Sequence, residues 1–278
     1  MATSPLVENN LFDKSFINKA HNQHLSLQLS TTQLKLAWFD IPSKTYFAFQ
    51  QLDLSTIADL EVFLKDLNTI DKPFQSTSLS LVNNLYTLVP KGLFQEDKES
   101  TYLHFNQGYI DSELNSELIE SHNTVLVYAL SNPYLSSLKH AFPGIKTNHF
   151  AKILVNALSL EKTDNDENLF IHIQDKRFDV CYIKSQKLHF FNSFEYKTTE
   201  DFIYFLLYVM EQLTLNRETC PIKLCGEFVE TSSIYETIFK YIRNVELLKR
   251  PNHANYSIVL NSIPEQYHYS LFNQYLCE

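Results

Sequence analysis

"LFIHIQDKRFDVCYIKSQKLHFFNSFEYKTTEDFIYFLLYVMEQL", residues 169–213, is the stretch that decides the fold. Apolar and polar residues alternate through three runs separated by "QDKR" and "KSQK", a pattern typical of antiparallel strands joined by tight turns. A helix capped at Thr198 or Thr199 is predicted next, because apolar residues then recur at helical spacing. Thr198 and Asp201 have the spacing of a capping box. The stretch therefore predicts three antiparallel strands followed by a helix.

The same order of elements occurs earlier, in "LSLQLSTTQLKLAWFDIPSKTYFAFQQLDL", residues 25–54. Three alternating runs are broken at "STT" and "DIPSK", and a helix is predicted after them. In each copy an apolar strand follows the helix, near residues 76–90 in the first and at "IKLCGEF", residues 222–228, in the second. Because the copies also have nearly the same length, we predict an internal structural repeat in an α/β protein.

The predicted boundary between the copies lies in "EKTDNDEN", residues 161–168, which is acidic and contains no apolar residue. The first 22 residues are polar and irregular, which indicates an N-terminal arm. We therefore predict an arm over residues 1–22, a first lobe over residues 23–164 and a second lobe over residues 165–278.

Composition and charge indicate a globular protein and argue against nucleic acid and membranes as its partners. The 278 residues are 44% hydrophobic and 20% charged, as in globular proteins. A net charge of −9 repels nucleic acid and anionic lipid, so neither is predicted as a partner. The sequence has no apolar run of membrane-spanning length, and no basic region precedes an apolar run at the N-terminus. We expect a cytoplasmic protein without a membrane span.

The four cysteines give no sign of a metal site or a disulfide framework. Cys181, Cys220, Cys225 and Cys277 contain no CxxC pair, and no histidine stands at a zinc-like spacing from them. Cys181 and Cys225 lie inside apolar strand patterns. The sequence therefore predicts buried, reduced thiols and no bound metal.

Glycine is scarce in this chain. Only Gly92, Gly108, Gly144 and Gly226 are present, and all four are isolated, whereas average proteins contain about 7% glycine. Phosphate-cradling loops need several glycines close together, so a Walker loop and a dinucleotide fingerprint are excluded. Gly226 stands between a predicted strand and a helix, where free amide groups can face phosphate or ribose.

Four stretches resemble the actin-like ATPase superfamily: "LSLQLSTTQLKLAWFD", "FDVCYIKSQKLHFFNSFEYKTTEDFIYFLLYVMEQL", "IKLCGEFVETSSIYETIFKYI" and "YLCE". The chain is similar in particular to an uncharacterised Bacteroidetes family with this fold, a domain of unknown function, and more distantly to pilus-assembly actin-like proteins. The resemblance extends from about Leu25 onward. It implies a two-lobed actin-like ATPase fold with a nucleotide cleft between the lobes. Each lobe would be a ribonuclease-H-like mixed sheet flanked by helices.

The phosphate-binding hairpin turns of that superfamily have the form Asp-x-Gly, and this sequence departs from it in both lobes. Gln28 and Ser30 stand at the two positions in the first lobe, and His172 and Gln174 stand there in the second. Asp175 is close by, but it lies beyond the end of the strand. The resemblance therefore implies two degenerate phosphate loops.

The adenosine-side motif of the superfamily is an apolar strand that ends in Gly-Gly. Here Gly226 matches the first glycine, and Glu227 replaces the second. The side chain of Glu227 would fill room left for the base and ribose, and its carboxylate would repel an anionic ligand. Because all three loops depart from the pattern together, the resemblance implies a fold retained without ATPase chemistry.

Two functions from different classes stay open, and we favour a non-catalytic binding or scaffold module. It would need no cofactor, and its partner would be another protein or a second copy of the chain. The alternative is a divergent ATP-binding protein, an ATPase or kinase, that uses magnesium and the cleft between the lobes. In that case the ligand contacts would come from Ser30, Asp175, Lys176, Gly226 and Glu227. A nuclease on a ribonuclease-H-like sheet is a third hypothesis, and the strand ends lack the carboxylates it requires.

Two further segments have alternative interpretations. Residues 175–177 are predicted to form an exposed charged turn, and the alternative is a phosphate loop in which Lys176 or Arg177 contacts an anion. The C-terminal residues are predicted to dock an amphipathic helix on the first lobe, and a tyrosine-rich partner surface is the alternative. The apolar face of that helix would consist of Leu271, Phe272, Tyr275 and Leu276.

Overall fold

The computed structural model describes residues 10–16, 20–54, 57–67, 74–161 and 166–277. The strands within these ranges are β1 Asn10–Phe12, β2 Gln23–Leu29, β3 Gln33–Asp40, β4 Thr45–Asp53, β5 Ser76–Leu81, β6 Tyr86–Pro90, β7 Leu114–Ile119, β8 Thr124–Ala129, β9 Lys146–His149, β10 Glu167–Gln174, β11 Arg177–Lys184, β12 Lys187–Glu195, β13 Ile222–Gly226, β14 Val245–Leu247 and β15 Asn255–Tyr256. The helices are α1 Ile57–Leu67, α2 Glu99–Gln107, α3 Leu135–Ala141, α4 Phe150–Ser159, α5 Thr199–Gln212, α6 Ser233–Tyr241 and α7 Tyr269–Asn273. Within the described ranges no helix has the length and apolar character that crossing a membrane requires.

The chain divides into two compact units. The first unit contains the described residues of 10–156, 251–262 and 270–277, and the second unit contains those of 157–250 and 263–269. Each unit has its own mixed sheet.

The main sheet of the first unit has the order β1-β4-β3-β2-β5-β9, with β15 also paired to β4. Strands β2, β3 and β4 form the antiparallel meander that the alternation over residues 25–54 predicts. Strands β5 and β9 then add in parallel to β2. Leu25, Leu27 and Leu29 of β2 are fully buried, so the alternating leucines do face a core.

A smaller three-stranded antiparallel sheet, β6-β8-β7, also belongs to the first unit. Helix α2 packs Leu103 into its core beside Val89, Val125 and Val127. The sequence predicts a single strand near residues 76–90, but the structure has two, β5 and β6, in different sheets. Asn83 separates them, because its side chain accepts a hydrogen bond from the Leu85 amide at 2.9 Å and so closes a turn.

The sheet of the second unit has the order β12-β11-β10-β13-β14. Strands β10 to β12 are antiparallel, and β13 and β14 are parallel to β10. Helices α5 and α6 contribute Phe202, Leu206 and Ile238 to the core on one face. Thr198 caps α5: its hydroxyl accepts from the Asp201 amide at 3.1 Å, and the Asp201 carboxylate accepts from the Thr198 amide at 3.1 Å. This confirms the predicted capping box.

The division of the chain differs from the predicted domains at three places. Strand β1 lies in the predicted N-terminal arm, yet it pairs with β4 and buries Leu11. The division into units falls within α4, before Ala157, whereas residues 162–165 of the predicted linker lie outside the described residues. Residues 251–262 and 270–277 belong to the first unit instead of the second lobe. Leu271 and Phe272 are buried, and Phe272 packs on Tyr46 of the first unit, as predicted for the C-terminal helix. The predicted apolar face is wrong at Leu276, which is 46% exposed, and α7 ends at Asn273.

Three of the cysteines are buried free thiols, as predicted. Cys181, Cys220 and Cys225 belong to the second unit and form no disulfide. Burial raises the pKa of the Cys220 thiol to about 11, and it raises the pKa of Cys225 well above the ordinary value. These thiols are therefore protonated and unreactive at neutral pH.

Candidate functional site

The polar groups of Ser30, in the turn between β2 and β3, form hydrogen bonds to other residues of the first unit. The hydroxyl of Ser30 accepts hydrogen bonds from the amides of Thr32 at 3.2 Å and Gln33 at 2.9 Å, and it lies 3.3 Å from the Gln33 carbonyl. The side-chain amide of Asn132 donates to the Ser30 carbonyl at 3.0 Å. Ser30 thus closes its own turn, where a phosphate loop would leave amide groups for a ligand.

Gln28, at the position of the superfamily aspartate, is buried against the C-terminal segment, which we define as residues 263–277. Its side-chain amide donates to the hydroxyl of Ser270 at 2.9 Å. One turn further, the amide of Gln274 donates to the Leu27 carbonyl at 3.0 Å and the Ser78 hydroxyl at 2.9 Å. In the first unit, the C-terminal segment therefore contacts the end of β2, where the resemblance implies a phosphate.

Gln274→Ala is expected to lower the free energy of unfolding by about 1–3 kcal/mol, because it removes two buried hydrogen bonds, to the Leu27 carbonyl and the Ser78 hydroxyl. Trp38, the only tryptophan of the chain, lies in β3 of the first unit, so its fluorescence during urea unfolding measures the change. Gln95→Ala, at an exposed glutamine, is the matched control and should change stability by less than about 0.5 kcal/mol. Equal effects of the two substitutions would contradict this role of Gln274.

The turn between β10 and β11 has an exposed tip at Asp175 and Lys176, as predicted. Lys176, the second of the two turn residues, has a positive φ of 56°, a conformation that tight turns often need at one central position. Tyr196 holds the turn: its hydroxyl donates to the Gln174 carbonyl at 2.8 Å, and its amide donates to the Lys176 carbonyl at 3.0 Å. Burial and the neighbouring Asp175 carboxylate raise the pKa of Tyr196 to about 12. The hydroxyl therefore stays protonated and keeps donating.

Arg177 is buried, which corrects the prediction that residues 175–177 are all exposed. Its guanidinium donates two hydrogen bonds, at 3.1 and 2.8 Å, to Oδ1 of the fully buried Asp179. The Ser193 hydroxyl donates to the same oxygen at 2.6 Å, and Nδ1 of His172 lies 3.0 Å from Oδ2. Burial alone would raise the pKa of Asp179, but the Arg177 charge and the hydrogen bonds lower it to about 2. Arg177 and His172 thus contact and stabilise the buried carboxylate of Asp179, and they are not part of an exposed phosphate loop.

Gly226 ends β13 with a φ of +111° and lies directly against β10. A Cβ atom there would lie 2.0 Å from the carbonyl oxygen of Ile173. The Gly226 amide donates to the Gln266 carbonyl at 2.8 Å, and the Glu227 amide donates to the Ile173 carbonyl at 2.7 Å. Glycine is therefore required for backbone packing, and both amides of the turn have partners in the second unit.

The C-terminal segment covers this turn within the second unit. Gln266 is buried, and its side-chain amide donates to the Phe228 carbonyl at 3.1 Å. Nδ1 of the buried His268 lies 3.5 Å from a carboxylate oxygen of Glu227. Burial and the Glu227 charge raise the pKa of the adjacent Tyr267 to about 12. Glu227 thus contacts the segment instead of projecting into an open base-binding pocket.

A cavity of about 500 Å³ lies beside the same turn, at the carboxyl ends of β13 and β14. Its lining includes Thr231 and Lys249, the acidic residues Glu230 and Glu265, and the apolar residues Leu247 and Leu248. Carboxyl ends of parallel strands are a common place for ligands in α/β proteins, and this volume is in the range of small-molecule sites. Among the described residues, no group of three or more histidine, cysteine or acidic side chains could hold a metal ion.

Within the second unit, the structure brings Gly226 and the 174–177 turn to the same end of the sheet, because Gly226 pairs with Ile173. Ser30 belongs to the first unit. Sequence reasoning missed the roles of Gln266 and Gln274. The sequence signal for them is weak: Gln266, Ser270 and Gln274 recur every four residues, as on a polar helix face, but α7 covers only Tyr269–Asn273.

Comparisons with solved structures show the fold. A protein with actin-like ATPase fold and unknown function from Bacteroides thetaiotaomicron is similar, with a TM-score of 0.73 and 20% identity over 89% of this chain and 97% of that chain. The PilM-PilN type IV pilus biogenesis complex is similar with a TM-score of 0.60 and 11% identity, over 91% of this chain and 98% of the matched chain. The predicted actin-like ATPase fold is therefore confirmed.

Sequence comparison places the chain in a family. No curated protein matches the sequence. A family model described as "Protein of unknown function (DUF3822)" matches residues 13–245, which is most of the chain. The chain therefore belongs to this family.

Proposed function

We propose that this protein is a non-catalytic binding or scaffold module on an actin-like fold with degenerate nucleotide loops. One observation carries the proposal: groups at the nucleotide-loop positions in each unit are hydrogen-bonded to the C-terminal segment. Ser270 binds Gln28 in the first unit, and Gln266 binds the Gly226 amide in the second. A nucleotide would have to compete with these contacts, and each buried polar group left unpaired would cost about 1–3 kcal/mol.

The proposed partner is another protein, including a second copy of the chain. A net charge of −9 supports this choice over nucleic acid or anionic lipid. The PilM-PilN type IV pilus biogenesis complex contains a chain similar to this one within a protein assembly, which supports a binding role for the fold. The reduced thiols Cys181, Cys220 and Cys225 support the cytoplasmic location that the sequence predicts.

The second candidate is a divergent ATP-binding protein with magnesium. The cavity at the carboxyl ends of β13 and β14 favours it, because Thr231 and Lys249 could contact a phosphate there. The carboxylates of Glu230 and Glu265 in the same wall weigh against an anionic ligand without a bound cation.

Titration with ATP, ADP or GTP, with and without Mg²⁺, is expected to leave the melting temperature unchanged at millimolar nucleotide. A ligand that binds only the folded state at about 100 times its Kd would add about 2.7 kcal/mol of stability and raise the melting temperature. Calorimetric titration measures the same binding directly. A saturable signal that disappears in Lys249→Ala and persists in Lys240→Ala would replace the proposal with the ATP-binding alternative.

A further inference from the structure

The small sheet of the first unit has a complete core, built from one face of α2. Leu103 is fully buried against Val89 of β6 and Val125 and Val127 of β8, and Phe94 and Ile110 pack against the same cluster. The apolar residues needed to hold α2 on its sheet are thus already in place. Exposed apolar side chains on α2 and the residues that flank it therefore do not contribute to that core.

Three large apolar side chains project from the same element into solvent. Phe105 is 89% exposed, Tyr109 is 82% exposed and Leu93 is 69% exposed. Leu93 lies beside α2, because its carbonyl accepts a hydrogen bond from the Tyr102 hydroxyl at 2.7 Å, one turn before Phe105. Single exposed apolar residues are ordinary, but three that are more than two-thirds exposed lie within 17 positions of one small element, where clustering would favour an interaction surface. We call Leu93, Phe105 and Tyr109 the α2 patch.

Carboxylates flank the α2 patch on both sides in the sequence. Five of them lie within three residues of α2 or in the linker that joins α2 to β7, namely Glu96, Asp97, Glu99, Asp111 and Glu113. Lys98 is the only lysine or arginine between Leu93 and Leu114. The surface around the patch is therefore acidic and attracts a basic partner.

We propose that the α2 patch is a docking surface for a basic protein segment that carries an aromatic or aliphatic anchor. The anchor packs on Phe105 and Leu93, and a lysine or arginine of the partner lies over the ring of Tyr109 and near the carboxylates. This inference rests on the proposed binding role and names the surface and the chemistry of the partner.

A random-peptide display library tests the proposal. The library is selected on the full chain, and the enriched peptides are then measured against the double variant Phe105→Ser/Tyr109→Ser. Enriched peptides are expected to combine lysine or arginine with an aromatic or aliphatic residue. Their Kd should rise at least about tenfold in the double variant, as for other interface anchors, and should also rise with added salt. The variant should keep the melting temperature of the parent, because both side chains are exposed.

Ile258→Ser is the matched control, because Ile258 is also in the first unit and is 79% exposed. Its peptide affinities should equal those of the parent chain. Peptides that bind the double variant equally well would overturn the α2 patch while leaving the binding role intact. Enrichment of acidic or uncharged peptides, or of no peptide at all, would also overturn it. The nucleotide titration tests the proposed function separately from these outcomes.

Discussion

Gly226→Ala is expected to lower the free energy of unfolding by about 3–5 kcal/mol, because steric overlap adds to backbone strain. The new Cβ atom would lie 2.0 Å from the carbonyl oxygen of Ile173 and 2.6 Å from its nitrogen. Ile173 cannot move aside, because β10 is held by β11 on one side and β13 on the other. The φ of +111° is also unfavourable for alanine. Urea unfolding followed by far-ultraviolet circular dichroism measures the loss.

The other glycines provide a matched series that separates steric overlap from strain. Gly92 has open space around it and no positive φ, so Gly92→Ala should be nearly neutral. Gly144 also has open space but a φ of +81°, so Gly144→Ala should cost about 1–2 kcal/mol from strain alone. If Gly226→Ala costs no more than Gly144→Ala, the close approach to Ile173 does not constrain this turn.

Strands and helices could be predicted from the sequence where neighbouring residues show a clear apolar and polar period. Alternation over residues 25–54 and 169–195 predicts six strands, and all six are present as β2 to β4 and β10 to β12. Each run places its apolar side chains on one face of a sheet, so the period of two identifies a strand even where both faces are buried, as in β2 and β11. The short strand β1 was not predictable, because its three residues carry no period and its pairing to β4 depends on a distant partner.

The candidate site was predictable only in part. The sequence indicates a turn at Gly226, but the partner of its amide is Gln266, 40 residues later in the chain. Likewise, Gln28 and Ser270 are 242 residues apart. Local propensity carries no information on such contacts between residues far apart in the sequence.

The burial of Arg177 was missed for a related reason. In "RFDVCYI", residues 177–183, the apolar residues Phe178 and Val180 face the helices, so the alternating positions Arg177 and Asp179 appear to face solvent. Both faces of β11 are buried, however, and the charged pair is satisfied by its own hydrogen bonds. The alternation of polar and apolar residues does not distinguish a polar strand face that is buried by other elements from one that faces solvent.

Asp179→Ala is expected to cost about 3–5 kcal/mol, because it leaves the buried guanidinium of Arg177 without its carboxylate. Removing both charges in Arg177→Met/Asp179→Leu should cost much less than the sum of the losses in Arg177→Met alone and Asp179→Leu alone. Asp175→Ala is the matched control, since this carboxylate is exposed four residues away and should change stability by less than about 0.5 kcal/mol. Urea unfolding followed by circular dichroism measures the parent and these five variants, and additive losses of Arg177→Met and Asp179→Leu in the double variant would contradict the coupling.

Acid titration of Asp179→Asn tests the charge itself. The pKa of Asp179 falls from 3.8 to about 2 in the folded chain, so the folded state favours the ionised carboxylate. This contribution is fully present above about pH 4 and is lost as the pH falls through about 2. Over that range the parent should lose about 2 kcal/mol more than Asp179→Asn, since each unit of pKa shift is worth about 1.36 kcal/mol. All other carboxylates titrate in both proteins, so parallel acid profiles would mean that Arg177 and His172 do not stabilise this charge.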